Sequence, residues 1–224
     1  TIAETSGSTG VDESGSTDLF TVVLNAQPTT DVVLSISSVD TGEATVTSSL
    51  TFTSSNWDTA KTVTVTGVDD NIIDGTQTST ITVSIIDGIS DNAFDAVADQ
   101  TVSVTTTDDD VAGFTIAETE GSTGVDESGS TDIFTIVLDT QPSSDVVLSI
   151  TSSDTGEATV ESLIQFTSAN WDTAQNVTVT GADDGIIDGT QTSTITVTVV
   201  DAITDDDFDA VADQTVSVTT TDDD

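Results

Sequence analysis

The sequence predicts an all-β fold of two tandem β-sandwiches, and three observations lead to this prediction. Short runs of alternating apolar and polar residues recur along the chain, no stretch keeps a helical period, and the whole pattern occurs twice. Residue n matches residue n+114 from Thr1 to Asp110, and about 85 of these 110 pairs are identical. Such a long period indicates a duplicated domain, since solenoid repeats are only about 20–50 residues long.

The duplication sets the expected domain boundaries. We expect one sandwich over residues 1–110, a short linker over residues 111–114 and a second sandwich over residues 115–224. The linker Val-Ala-Gly-Phe spans at most about 14 Å when extended, so the domains should be joined end to end, with Val111 and Phe114 packed between them. The closeness of the copies also suggests two units of a longer array.

Seven segments of the first repeat have the length and alternation of short strands. In residues 19–24 the apolar side chains alternate with polar ones, and residues 31–36 repeat the pattern. The other predicted strands are residues 44–46, 50–52, 62–66, 78–85 and 101–104. About seven short strands separated by turn residues are typical of a β-sandwich. Trp57 and Trp171 are interpreted as apolar plugs at one end of each core, with ligand stacking as the alternative.

The composition is strongly acidic. Asp and Glu number 41 against a single base, Lys61, which gives a formal net charge of −40. Self-repulsion on this scale opposes a compact state, yet 34% of the residues are hydrophobic and many alternate regularly. We therefore expect a folded chain that binds cations or functions at high salt concentration. The lack of basic surface excludes nucleic acid as a partner, and no apolar run of about 18 residues predicts a membrane span.

The chain contains no Cys and no His. The usual ligands of zinc and iron sites are therefore absent, as are the cysteine nucleophile of cysteine hydrolases and the histidine base of Ser–His hydrolases. Oxygen ligands remain, and these suit calcium or magnesium.

The acidic residues that carry the chemistry lie in clusters at predicted turns and strand ends. Because the loops of a sandwich gather at two ends, clusters that share an end would form a cage of carboxylates for one or more calcium ions. A solubilising acidic surface is the alternative, but adjacent like charges are disfavoured without a counterion. The clusters are Asp12 with Glu13, Glu43, Asp69 and Asp70 with Asp74, and Asp108, Asp109 and Asp110; the copies are Asp126 with Glu127, Glu157, Asp183 and Asp184 with Asp188, and Asp222, Asp223 and Asp224.

A further acidic loop covers residues 87–99 and contains Asp91 and Asp95. Its copy is more acidic, with Asp205, Asp206 and Asp207 in a row. If this loop lies at the opposite end of the sandwich, it could complete a joint with a preceding repeat or hold a separate ion. By contrast, Asp18, Asp31 and Asp58 are isolated in the sequence and are expected to be solvated surface acids.

Three motifs together resemble the Calx-β domain, and the resemblance covers each repeat almost end to end. They are Val-x-Glu-x-Gly at residues 11–15, Asp-Asp-x-Ile-x-Asp at residues 69–74 and Asp-Asp-Asp at residues 108–110. The resemblance implies an immunoglobulin-like sandwich that binds several calcium ions at the end facing the next domain. Carried over by motif, the implied ligands are Glu13, Glu43, Asp69, Asp70, the carbonyl of Ile72, Asp74, Asp108, Asp109 and Asp110, with Glu127, Glu157, Asp183, Asp184, the carbonyl of Ile186, Asp188, Asp222, Asp223 and Asp224 in the second repeat.

One position departs from that family's pattern. The family often has a further Glu three residues past Asp74, where this chain has Gln77, with Gln191 in the copy. One ion position should therefore be weakened or lost. The loop over residues 69–75 is not an EF-hand, because its spacing differs and no Glu occupies the twelfth position.

The tandem repeats also resemble the extender regions of giant bacterial surface adhesins of the RTX type. The leading interpretation is a non-enzymatic calcium-binding spacer of a cell-surface or secreted adhesion protein, monomeric as a pair and contacting identical neighbouring repeats. Calcium would neutralise the joint and make it rigid, with an affinity on the order of 10⁻⁴–10⁻³ M. A regulatory calcium sensor is the alternative. Carbohydrate binding or processing is a weaker one, because aromatic residues make up only 4% of the chain, and an ice-binding surface is weaker still.

Overall fold

The two sandwiches are present in the structure, a computed structural model that describes all residues from 1 to 224. The chain divides into two compact units, residues 1–70 with 74–109 and residues 71–73 with 110–224. Each repeat contains nine strands in two sheets, and the only helical elements are five short 3₁₀ turns. These turns are far too short to cross a membrane as a helix.

In the first repeat, one sheet has four strands and the other has five. The strand orders are β1-β3-β7-β5 and β2-β9-β8-β4-β6. Every pairing is antiparallel except that of β2 with β9, which is parallel. The strands are β1 (Ile2–Glu4), β2 (Thr9–Asp12), β3 (Thr17–Val22), β4 (Val32–Ser38), β5 (Ala44–Val46), β6 (Ser49–Phe52), β7 (Lys61–Gly67), β8 (Gln77–Ile85) and β9 (Gln100–Thr107).

The second repeat has the same topology, with strand orders β10-β12-β16-β14 and β11-β18-β17-β13-β15. Its strands are β10 (Phe114–Glu118), β11 (Thr123–Asp126), β12 (Thr131–Leu138), β13 (Val146–Ser152), β14 (Ala158–Val160), β15 (Leu163–Phe166), β16 (Gln175–Gly181), β17 (Gln191–Val199) and β18 (Gln214–Thr221). The 3₁₀ turns are Thr5–Gly7, Asp87–Ile89, Thr119–Gly121, Asp201–Ile203 and Asp206–Phe208.

The core of each repeat forms because β-branched and aromatic residues alternate with Thr and Ser along the strands. In β7, Val63 and Val65 are fully buried, whereas Thr62 between the strand start and Val63 is exposed. Phe20 and Phe52 are also fully buried. This period of two places one face of each strand against the facing sheet and leaves a hydroxyl-rich face in water.

All seven predicted strands are present in each repeat, and the structure adds two more at the start of each. The added strands of the first repeat are β1 and β2. They gave no alternation signal because β2 contains one buried apolar residue, Val11, next to Gly10. The linker residues Val111 and Phe114 differ from each other: Val111 is 74% exposed, whereas Phe114, expected between the domains, starts β10 and is buried in the core of the second repeat.

The strand directions bring four acidic segments to one end of each repeat, which we call the acidic end. In the first repeat, the parallel strands β2 and β9 finish together, with Asp12 opposite Thr107. Strand β8 starts beside them, because Gln77 pairs with Thr106. The segments after β2, before β5, between β7 and β8, and after β9 therefore share this end.

Candidate metal centre

Strand ends fix the backbone of the two buried glutamates of the second repeat. Glu127 directly follows β11, and its N–H donates to the carbonyl of Thr221 at 3.1 Å. Glu157 directly precedes β14, and its carbonyl accepts from the N–H of Ala182 at 2.9 Å. Both glutamates are thus held by ladder-type hydrogen bonds from the neighbouring strand ends, so their side chains have defined starting points.

The acidic end of the second repeat holds two groups of three carboxylates, and Glu127 belongs to both. One group joins Glu127 with Glu157 and Asp188, and the other joins it with Asp222 and Asp224. Within each group, one carboxylate oxygen from each residue lies within 4.8 Å of those of the others. Three oxygens at this spacing lie within about 2.8 Å of a common point, so only small side-chain shifts separate them from the usual calcium–oxygen distance of about 2.3–2.6 Å.

Burial distinguishes the two glutamates of these groups from ordinary surface acids. Glu127 is only 1% exposed and Glu157 only 7%. Neither oxygen of Glu127 has a hydrogen-bond partner, and Oε2 of Glu157 has none either. A buried ionised carboxylate without donors is strongly unfavourable. The missing partner must therefore be a proton or a cation.

The electrostatics of the second repeat agree with this geometry. Burial, followed by the charges of Asp222 and Glu157, raises the pKa of Glu127 to about 7. Burial, followed by the charge of Asp188, also raises the pKa of Glu157. Asp222 is different, because the N–H groups of Asp224 and Gly189 donate to it at 3.0 and 2.6 Å and lower its pKa.

The first repeat has the matching arrangement. Glu13, Glu43 and Asp74 each offer an oxygen within 4.8 Å of the others, and Glu13 is 1% exposed. Burial raises the pKa of Glu13 to about 7, with the charges of Asp108 and Asp70 as the next largest causes. Asp108 also accepts the N–H of Gly75 at 2.7 Å, which anchors the loop between β7 and β8 to the end of β9.

Some of the residues predicted as ligands lie outside these groups. Asp69, Asp109, Asp183 and Asp223 are exposed and belong to neither group. An extended chain points successive side chains to opposite sides, so Asp222 and Asp224 face the group together and Asp223 does not. Asp184 is exposed too, although its charge contributes to the raised pKa of Glu127.

The remaining predicted ligands are less defined. Asp110 is the counterpart of Asp224 and falls where the second unit begins. Ile72 and Ile186 are 38% and 57% exposed. The N–H of Ile186 donates to Asp184 at 2.8 Å, which shapes the turn around it. Coordination by the carbonyls of Ile72 and Ile186 stays a prediction.

Sequence reasoning missed one residue that the site requires, Gly181, with Gly67 in the first repeat. A Cβ atom at Gly181 would lie 2.0 Å from the carbonyl oxygen of Asp126, and one at Gly67 would lie 1.9 Å from that of Asp12. Only glycine lets β16 approach the end of β11 so closely, and this approach positions Glu127. The signal in the sequence was a glycine ending an otherwise alternating strand.

The acidic loop over residues 87–99 lies at the opposite end, and protein donors surround its buried carboxylate Asp91. Asp91 is 6% exposed and accepts hydrogen bonds from Ala93 N at 3.0 Å, from Thr29 N at 2.6 Å and Oγ1 at 2.7 Å, and from Thr30 N at 3.0 Å. These bonds, that from Ala93 foremost, lower the pKa of Asp91. Protein donors already satisfy this carboxylate, so it is a structural anchor.

Asp18 is another acid whose expected role was wrong. It is not merely solvated, because it accepts the N–H of Gly10 at 2.9 Å and that of Leu19 at 2.7 Å. Asp132 makes the same contacts with Gly124 and Ile133. This carboxylate ties the short strand before it to the sheet that follows.

No family model and no curated protein matches the chain. Similar solved structures include CBD12 from CALX1.2, with 13% identity, a TM-score of 0.38 and coverage of 97% of this chain and 99% of that one. Calcium binding domain CBD12 of CALX1.1 has 14% identity, a TM-score of 0.36 and coverage of 88% and 79%. Domains 1–6 of the surface layer protein SbsC have 18% identity, a TM-score of 0.38 and coverage of 85% and 20%. These likenesses are too distant to carry a functional argument, which depends on the carboxylate geometry.

Proposed function

We propose that this chain is a non-enzymatic pair of calcium-binding structural repeats. The observation that carries the proposal is Glu127, a carboxylate that is 1% exposed, has no hydrogen-bond donor on either oxygen and stands among other carboxylates. A cation is the partner that satisfies all of these groups at once. Calcium fits best, since it accepts six to eight oxygens in flexible geometry, whereas magnesium demands a tight octahedron.

The two overlapping groups of the second repeat support two ions there, and the near-identical acidic segments of the first repeat lead us to infer two ions for it as well. In the second repeat, Glu127 would bridge them, with Glu157 and Asp188 on one ion and Asp222 and Asp224 on the other. Carbonyls such as that of Ile186, and water, would supply the remaining oxygens. A bridging carboxylate makes the two binding events interdependent, because the second ion shares a ligand with the first.

The place of the site in the chain supports a spacer. In the first repeat, the acidic end includes Asp108, Asp109 and Asp110. These residues directly follow β9 and precede the linker to the next repeat. Calcium there would neutralise the charges at the joint and make it rigid. A stiff array of such units suits an extracellular adhesion protein at a bacterial surface, in keeping with the likeness of the repeats to adhesin extender regions.

The test is a thermal melt followed by circular dichroism in EDTA, in millimolar magnesium and in millimolar calcium. A ligand that binds only the folded state raises the midpoint by mass action. We expect a large rise with calcium and little with magnesium, and titration calorimetry should give about four calcium ions per chain, two for each repeat. Equal midpoints in all three solutions would contradict calcium binding.

The rigid joint needs its own measurement. Small-angle scattering of the pair in calcium and in EDTA should show a narrower distribution of interatomic distances with calcium. Unchanged scattering together with a raised midpoint would keep the calcium site and remove the joint from the proposal. Saturation at sub-micromolar calcium with a change of shape would favour the regulatory sensor instead.

A further inference from the structure

Four Asp-Gly pairs occur in the sequence, at residues 74–75, 87–88, 184–185 and 188–189. The main-chain nitrogen of the glycine in such a pair can attack the carboxyl group of the aspartate before it, because glycine has no side chain that shields this nitrogen or restricts its rotation. The attack requires a peptide bond that is free to turn towards the aspartate side chain. The contacts of each pair therefore decide where the reaction occurs.

Hydrogen bonds hold two of the pairs on both sides of the peptide bond. The N–H of Gly189 donates to Asp222 at 2.6 Å. On the other side, Nε2 of Gln191 donates to the carbonyl of Asp188 at 3.2 Å. The pair at residues 74–75 has the same two bonds, at 2.7 Å from its glycine N–H and at 2.8 Å to its aspartate carbonyl. A peptide bond fixed at both groups turns only after both hydrogen bonds break.

A hydrogen-bonded turn holds the third pair. Residues 87–88 open the 3₁₀ turn Asp87–Ile89, and the N–H of Ser90 donates to the carbonyl of Asp87 at 3.3 Å. This turn fixes the backbone angles of Asp87, and with them the orientation of its peptide bond to Gly88.

The pair Asp184–Gly185 lacks these restraints. It lies in the irregular loop between β16 and β17, and both residues are exposed. Neither the carbonyl of Asp184 nor the N–H of Gly185 makes a hydrogen bond. Oδ1 of Asp184 accepts the N–H of Ile186 at 2.8 Å, which folds the carboxyl group back over its own peptide bond. Gly185 has a φ of +73° and open space where a Cβ atom would stand, so nothing obstructs the approach.

The first repeat offers a natural comparison, because its counterpart of this pair is Asp70–Asn71. Asn71 carries a side chain next to the attacking nitrogen, whereas Gly185 does not. The unshielded pair at this position thus belongs to the second repeat alone.

We propose that Asp184 is a site of spontaneous isomerisation to isoaspartate, selected by its unrestrained peptide bond to Gly185. The main-chain nitrogen of Gly185 bonds to Cγ of Asp184 and loses its proton, and the carboxyl hydroxyl leaves with this proton as water. Water then adds to the former main-chain carbonyl of the cyclic imide, and the bond from that carbonyl to nitrogen breaks, so the chain continues through Cγ. One water is released and one is taken up, so the mass is unchanged and the backbone is longer by one methylene group.

The modified residue lies in the loop that also carries Asp188. The added methylene group therefore alters the path of the chain towards the acidic end. The reaction itself depends only on the contacts of Asp184 and Gly185, so the inference stands whether or not calcium binds.

The test is to incubate the whole chain in EDTA near neutral pH and at physiological temperature. Digestion followed by electron-transfer fragmentation then locates isoaspartate by its extra backbone methylene group. We expect isoaspartate to form at Asp184 at least roughly tenfold faster than at Asp188, because a hydrogen bond to a charged group must break before Asp188 reacts. Equal rates at the two residues in the folded chain would overturn the proposal.

The same chain in concentrated urea is the control for the role of the fold. The restraining contacts are lost there, so all four Asp-Gly pairs should react at similar rates. If Asp184 kept the same lead in urea, the local sequence and not the structure would select it, and the proposal would fail.

Gly185→Asn tests the attacking nitrogen, because it recreates the pair of the first repeat and because asparagine tolerates the left-handed backbone. Isoaspartate at Asp184 should fall several-fold, while a thermal melt in EDTA shows that the variant is folded. Unchanged accumulation in the folded variant would contradict the proposal. The comparison of Asp184 with Asp188 in the parent chain decides the question without any variant.

Discussion

A carboxylate oxygen of Glu127 lies within 4.8 Å of one of Glu157, although both side chains are more than nine-tenths buried. Burial raises the pKa of both groups, that of Glu127 from 4.5 to about 7. A raised pKa means that the folded chain binds a proton that the unfolded chain has released. Without a cation, the contribution of Glu127 to the free energy of unfolding is therefore fully present below about pH 4.5 and is lost as the pH rises through about 7. A bound cation replaces the proton and removes this penalty.

The first prediction is that Glu127→Gln changes the melting temperature in opposite directions in EDTA and in calcium. In EDTA the variant should melt higher than the parent protein, because the amide removes a buried negative charge that has no donor. In calcium it should melt lower, since it removes a ligand shared by both groups, and calcium binding to the second repeat should weaken by roughly tenfold or more. Thermal melts and calorimetry measure the two effects.

The matched control for this variant is Glu161→Gln, which removes the same charge from an exposed loop position of the same repeat. It should change neither the melting temperature in EDTA nor the calcium affinity appreciably. If both variants behave alike, the general reduction of net charge explains the result, and the special role of Glu127 is lost.

The second prediction concerns Gly181. Replacement by alanine puts a Cβ atom 2.0 Å from the carbonyl oxygen of Asp126, so the end of β11 must move and carry Glu127 with it. We expect Gly181→Ala to lower the free energy of unfolding of the second repeat by about 1–3 kcal/mol and to weaken its calcium binding. Gly124→Ala is the control, because its added Cβ would meet Thr219 at an ordinary 3.7 Å. Urea unfolding with and without calcium checks both.

The fold was largely predictable because alternation is a local signal. Val63 and Val65 mark β7 without any knowledge of its partners, and the duplication confirms the pattern in a second copy. The short strands at the start of each repeat were not predictable in this way. Strand β2 forms because Asp18 holds Gly10 and because β9, which is distant from it in the sequence, offers it a parallel edge.

The sequence predicted which residue types form the site, but not which individual residues belong to it. Clusters of Asp and Glu at turns identified the acidic end, since turns of a sandwich gather there. Burial, however, depends on how sheets pack, so nothing in the sequence distinguished the buried Glu13 from the exposed Asp69. The same limit explains Asp91, whose donors Thr29 and Thr30 lie about sixty residues away.

The third prediction concerns acid stability and Asp91. Its hydrogen bonds lower its pKa below the unfolded value, so the stabilisation is present above about pH 4 and is lost as the pH falls toward the folded pKa. Asp91→Asn should lower the melting temperature at pH 7 by several degrees and flatten the loss of stability below about pH 4. The effect should be equal in calcium and in EDTA. Asp95→Asn, at an exposed position of the same loop, should have little effect.

The last prediction uses the alternation of side chains along the segment after β18. Asp224 shares a carboxylate group with Glu127, and burial, then the charge of Asp183, raises its pKa, whereas the adjacent Asp223 lies outside both groups. Asp224→Asn should therefore weaken calcium binding to the second repeat several-fold, while Asp223→Asn leaves it nearly unchanged. The two variants have the same net charge, so calorimetry separates coordination from general electrostatic attraction. Equal losses in both would show that the acidic end attracts calcium only as a diffuse cloud of counterions.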